Sequence, residues 1–167
     1  MSDILSLEVQ REQKPKIEDV AHYYVEGERL KNVLDFVEWM RESKMNLRWA
    51  SHNKWTTTTK NKILVCVCLG KPALGSNNGR FHIGCLDSFS TKFHEVFTSN
   101  EEIREYIWAN VKECRKCGPC GPRKWEYAGK LFDNCCGLNF YNPDAGKIEH
   151  IKKIILARRE YIKANKK

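Results

Sequence analysis

The chain has 167 residues, with 29 Lys and Arg against 21 Asp and Glu for a formal charge of +8; at about 100–200 residues per domain it fits one domain. Hydrophobic residues make up 41% and aromatics 11%, which excludes an intrinsically disordered chain, because such chains cannot bury enough apolar surface to offset the entropy of ordering. The eight cysteines are about 5% of the residues, below the ~8–10% typical of a disulfide scaffold.

Residues 1–16 read as an N-terminal extension open to disorder, and 17–167 as a single domain. The apolar stretch around Ile4, Leu5 and Leu7 is too short for a secretory leader. Over 20–44, Leu30, Val33, Leu34, Val37 and Met40 recur at three- and four-residue steps, which predicts helix, with Gly27 placed to divide it. Strands follow over 47–51, 55–59, 62–69 and 80–86, short segments rich in β-branched and aromatic residues. His52-Asn53 and Lys60-Asn61 are short enough for hairpins, while 70–79 is a longer loop carrying Asn77-Asn78-Gly79. An antiparallel meander of about four strands is the simplest arrangement. The longest apolar run, 63–69, is far shorter than the roughly 20 residues of a membrane span, so no membrane partner is expected.

Ser99 lies three residues before Glu102, the spacing of a capping box. The helix it opens carries Ile103, Tyr106 and Ile107 inward and is expected to end near Cys114. A Gly/Pro-rich segment follows, through which no helix can run. Residues 125–127 and 136–141 then read as a hairpin around Ala128-Gly129-Lys130. Asn142-Pro143-Asp144 opens a last helix, with Asn142 as cap, that buries Ile148, Ile151, Ile155 and Ile162. The fold class is α+β: a meander packed with helices, a cysteine-rich loop and hairpin over 114–136, and a basic C-terminal helix.

The most specific chemical feature is Cys114-x-x-Cys117-x-x-Cys120. A Cys-x-x-Cys-Gly turn suits zinc, because the glycine can take positive φ and the turn's amides can then point at the thiolates. The pattern occurs twice, sharing Cys117. A structural zinc takes four ligands, and Cys135 or Cys136 can supply the fourth. Adjacent strand residues face opposite ways, and Cys136 shares parity with Leu138 and Phe140, which leaves Cys135 facing outward; a hairpin end need not obey that parity. Four thiolates leave no open position for water, so the zinc is structural and no enzymatic activity is expected. The same thiols fit two alternatives less well. Cys117-Gly-Pro-Cys120 has the spacing of a redox dithiol, but Gly121-Pro122 blocks the helix that should carry its second cysteine. A bacterial-type iron–sulfur run has a fourth cysteine where this chain has Lys124.

Cys66, Cys68 and Cys85 fall on strands and read as buried core thiols. Trp49, Trp55 and Phe81, with His82 at the rim, are candidates for an aromatic-lined pocket for a small ligand, although large aromatics more commonly fill a core. Residues 147–167 hold eight basic residues against Glu149 and Glu160, which is +6 of the +8. Such a helix can track nucleic-acid phosphates, but interleaved isoleucines favour a solvated helical face.

From Trp108 to Tyr161 the sequence resembles an uncharacterised family of small bacterial proteins, and the upstream stretch from Leu47-Arg48-Trp49 to Trp55 is similar to the small α+β domains of unknown function that include YdhG-like proteins. The resemblance rests on Cys114-x-x-Cys117-x-x-Cys120, then Gly129-Lys130-x-Phe132-x-Asn134-x-Cys136, then Asn142-Pro143-Asp144 and a Lys/Arg-rich helix. It implies a bacterial cytoplasmic setting, where thiols stay reduced, and a fourth ligand at Cys136. That pattern has an aliphatic residue in place of Cys135. The expectation is therefore a non-enzymatic domain with a zinc at Cys114, Cys117, Cys120 and Cys136, Cys135 substituting for the last, that binds a small molecule or a protein.

Overall fold

The computed structural model describes residues 5–70, 79–85, 100–113, 124–127, 129–133 and 135–164. Five helices lie among them: α1 (Leu7–Gln13), α2 (Ile17–Ala21), α3 (Gly27–Glu42), α4 (Glu101–Asn110) and α5 (Ala145–Ala164). The strands are β1 (Arg48–Ser51), β2 (Lys54–Thr59), β3 (Lys62–Gly70), β4 (Arg80–Cys85), β5 (Val111–Glu113), β6 (Lys124–Tyr127), β7 (Lys130–Asp133) and β8 (Cys135–Tyr141). The expected α+β class and meander are present. The main sheet runs β1-β2-β3-β4-β8-β5, antiparallel throughout, and β6-β7 form a separate pair.

Turn chemistry sets the meander's register. Lys60 and Asn61 both adopt positive φ, 48° and 62°, the two-residue geometry that matches strand twist. Asn53 does the same at 54° between β1 and β2. Across the strands, Trp55 pairs with Val67, Val67 with Ile83, and Ile83 with Phe140. These four are at most 1% exposed and form the apolar face. Helix α5 packs on β2 and β3, and α3 on α5. Ile148, Ile151, Ile155 and Ile162 are buried as their spacing predicts, with Ile154 beside them. Fully burying each such side chain contributes about 1.5–3 kcal/mol.

Residues 7–13, inside the expected N-terminal extension, form a helix that packs on β1. Gln10 is its anchor: fully buried, it donates to Asn53 Oδ1 at 2.7 Å and accepts from Asn53 N at 2.9 Å and Trp49 Nε1 at 3.3 Å.

Four local expectations are corrected. Helix α4 is capped by Asn100, whose side chain accepts from Ile103 N at 3.1 Å; Ser99 lies outside the described residues. The same helix ends at Asn110, short of Cys114, because β-branched Val111 turns extended (φ −69°, ψ 119°) and pairs with Leu138. Residues 124–127 pair with 130–133, not with 136–141. Gly129, at φ +81°, closes a two-residue loop there, and this leaves β8 free to insert beside β4, with Phe140 and Leu138 fully buried. Asn142 does not cap α5. It takes φ 43°, and its Oδ1 accepts from Phe81 N while its own N donates to Phe81 O, both at 2.9 Å, tying β8 to β4. Asp144 is the cap, its Oδ1 accepting from Lys147 N at 2.9 Å.

Candidate metal centre

Cys114, Cys117 and Cys120 lie outside the described residues, and Cys136 is placed only as part of strand β8. The strands flanking the segment constrain its ends. Glu113, which immediately precedes Cys114 in sequence, is the register partner of Cys135. Two chain positions more than 20 residues apart are thereby held side by side at one edge of the main sheet. Among the described residues no group of three or more His, Cys, Asp or Glu is arranged to hold a metal ion.

The parity argument for separating Cys135 from Cys136 meets an irregularity in this strand. Val111 pairs with Leu138 and Glu113 with Cys135, so a step of two residues on β5 faces a step of three on β8. That is a β-bulge. Gly137, at φ 144°, sits inside it. Alternation counted back from Leu138 therefore does not carry through to Cys135 and Cys136.

The β6-β7 hairpin between the two ends is docked on α4. The ammonium of Lys130 lies 5.6 Å from the Trp108 ring centroid and 5.3 Å from that of Phe132, and the Arg104 guanidinium lies 5.3 Å from Trp108. Helix α4 is held to β8 by Tyr106, stacked on Phe140 at 5.0 Å, and to α5 by His150 and Glu102 at 3.1 Å. Burial, then the nearby Asp144 charge, pushes the Tyr106 phenol up. Everything described around the cysteine segment is thus tied to the main body.

The pocket candidates fall in different places. Trp55 and Phe81 are each 1% exposed and belong to the core; the Trp55 Nε1 donates to Pro15 O at 2.8 Å. Trp49 is partly buried against that core and bonded to Gln10. His82 lies one residue out of register with Phe81 and Ile83, on the opposite face, where its ring is 5.2 Å from Tyr141. Trp55 and Phe81 thus serve packing.

One pair of thiols has chemistry that the sequence reading missed. Cys66 and Cys68 share a strand face by the two-residue period, opposite the face of Val65 and Val67, with Lys54 and His82 the register neighbours of Cys68. Cys66 is 2% exposed and Cys68 half-buried. A hydrogen bond from Cys68 holds the Cys66 thiol down to about 7 against the effect of burial, and Lys54 adds to this. The same bond pushes Cys68 up. Gly84 makes the room: a Cβ there would sit 2.8 Å from Cys66 Sγ. The Cys-x-Cys alternation was the available signal. Cys85's side chain lies outside what is described.

Several charges of the basic helix are engaged in packing. Arg158, 6% exposed, donates to Ile63 O at 3.0 Å, and Arg159 donates to Ser43 O at 2.8 Å. Lys152 lies 5.5 Å from the Trp39 centroid. These cations join α5 to β3 and α3, which accounts for part of the charge run without a nucleic acid. No helix among the described residues is long and apolar enough to cross a membrane. No family model, no curated protein and no solved structure matches this chain.

Proposed function

We propose that the chain is a non-enzymatic α+β domain whose segment 114–136 holds a structural zinc through Cys114, Cys117, Cys120 and Cys136, with Cys135 able to replace Cys136. In this reading the protein is a cytoplasmic bacterial domain, of the kind the YdhG-like resemblance suggests, that binds a small molecule or a protein partner. The observation that supports the centre is the pairing of Glu113 with Cys135. Bringing distant ligands together costs loop-closure entropy, and the sheet meets that cost for the two ends of the segment. Zinc would in turn stabilise a three-residue edge strand, β5, that has little pairing of its own. Arg115, Lys116, Arg123 and Lys124 would offset the net negative charge of a four-thiolate centre.

Metal analysis of protein purified without added zinc tests this. About one equivalent is expected, with a Tm that falls on chelation and metal that is lost in Cys117→Ser. Less than about half an equivalent, with a Tm indifferent to chelator, would overturn it. A brown anaerobic preparation with charge-transfer absorption would replace zinc by an iron–sulfur cluster. Insulin reduction abolished by Cys117→Ser would replace it by dithiol exchange.

A further inference from the structure

A second site stands apart from the cysteines. Helix α3 ends at Glu42, and Lys44 turns the chain with φ 58°. Met45 is 3% exposed, its N donating to Met40 O at 2.8 Å, and pins the turn to the core. Asn46 and Leu47 lead into β1, which opens at Arg48 opposite Thr56. Strand β2 continues to Thr59, so Thr57 and Thr58 run past the start of β1 along an edge that no other strand among the described residues covers. The space left there is a cavity of about 290 Å³ lined by Lys44, Asn46, Arg48, Thr56, Thr57 and Thr58.

Its chemistry is one-sided. Two cationic residues, an asparagine and three threonines line it, with no carboxylate; the register partners Arg48 and Thr56 share one strand face. Lys44 and Arg48 form no ion pair among the described residues. An Arg fork matches two oxygens of an oxyanion, Lys adds three donors, and hydroxyls can donate to those that remain. A carboxylate has only two oxygens and would leave most of these donors idle. A tetrahedral phosphate uses them. The volume lies at the small end of ligand pockets, about 300 Å³, which leaves room for one phosphate group and a compact organic part.

We propose that this pocket binds a phosphate group, free or as a small monoester. The test is amide-resolved NMR on the full chain, titrated with inorganic phosphate and with a nucleoside monophosphate. Saturable shifts are expected at the amides of 44–48 and 56–58. Tighter binding of the monoester assigns an ester ligand; equal binding assigns the bare anion. Arg48→Gln is expected to weaken binding about tenfold, as loss of a charge-assisted bond should. Thr56→Val, which keeps the strand and removes a hydroxyl on the face of Arg48, weakens it as well. Lys62→Gln, which removes the same charge from the neighbouring hairpin, leaves the affinity nearly unchanged. Absence of saturable shifts at those amides, or an equal loss in Lys62→Gln and Arg48→Gln, would overturn the proposal, the latter by reducing the effect to net charge. Metal content plays no part in the readout, so the result is independent of the zinc centre.

Discussion

Gln10 does more for the N-terminal part of the chain than its seven-residue helix could do alone, since isolated helices of that length are unstable in water. Its amide serves Asn53 twice and Trp49 once. Asn53 in turn donates to Tyr24 Oη at 2.7 Å, so Gln10 and Asn53 together link α1, the β1-β2 turn and the segment after α2. Replacing it with leucine would fill the space but strand Asn53 N and the Trp49 Nε1. Gln10→Leu is expected to cost about 2–3 kcal/mol, the scale for leaving buried donors unsatisfied, and to raise amide exchange in α1 while α5 stays protected. A chemical-denaturation midpoint and an exchange map would check it; an unchanged midpoint contradicts the anchoring role. Nothing in the sequence marked Gln10, because a glutamine among charged neighbours reads as surface until its partners in a later turn are known. The Cys66–Cys68 pair was half legible: spacing gave a common face, but not that the face lay opposite the apolar one.

At the scale of elements, α5 shows both what periodicity reveals and what it hides. The isoleucine spacing located the helix and its buried stripe. Its start was read one cap too early, because Asn-Pro-Asp contains two capping residues and only the tertiary pairing of Asn142 with Phe81 decides between them. Asp144's carboxyl is held below the usual range mainly by the Lys147 backbone N–H, then by the Lys147 side chain. It is exposed, so the ion pair itself contributes little; the cap is what matters. Asp144→Ala is expected to cost about 1 kcal/mol at neutral pH. A carboxyl with a lowered folded pKa stabilises above its unfolded range, and that stability is lost as pH falls through the folded value. The difference between wild type and Asp144→Ala should therefore shrink in acid. A gap that is constant from neutral to acidic pH contradicts the capping role. The hairpin was misread for a comparable reason: Lys130-Leu131-Phe132-Asp133 is a short alternating strand, and the nearer partner across Gly129 wins over the more distant 136–141.

For the molecule as a whole, the meander was legible because its turns carry their own chemistry and β3 is a continuous apolar run, the mark of a strand buried on both faces. Strand order beyond β4 was not, since placing β8 beside β4 depends on contacts between residues more than 50 positions apart. The proposed metal centre is legible in the sequence only as a spacing and a donor set. The β5-β8 register adds a physical means of bringing its ends together, and it removes the parity argument for choosing between Cys135 and Cys136. Whether the candidate aromatics line a pocket is not legible in the sequence, because Trp55 and Phe81, which fill the core, have the same sequence signature in either role. The proposed function turns on a zinc ion held by four thiolates. Zinc-edge X-ray absorption of the purified protein tests it most directly. A single shell of four sulfurs at about 2.3 Å is predicted, retained in Cys135→Ala and, with Cys135 taking the vacated place, in Cys136→Ala, and reduced to three when both are replaced. A shell of nitrogen or oxygen ligands in the wild type, or four sulfurs persisting when Cys135 and Cys136 are both replaced, would contradict it.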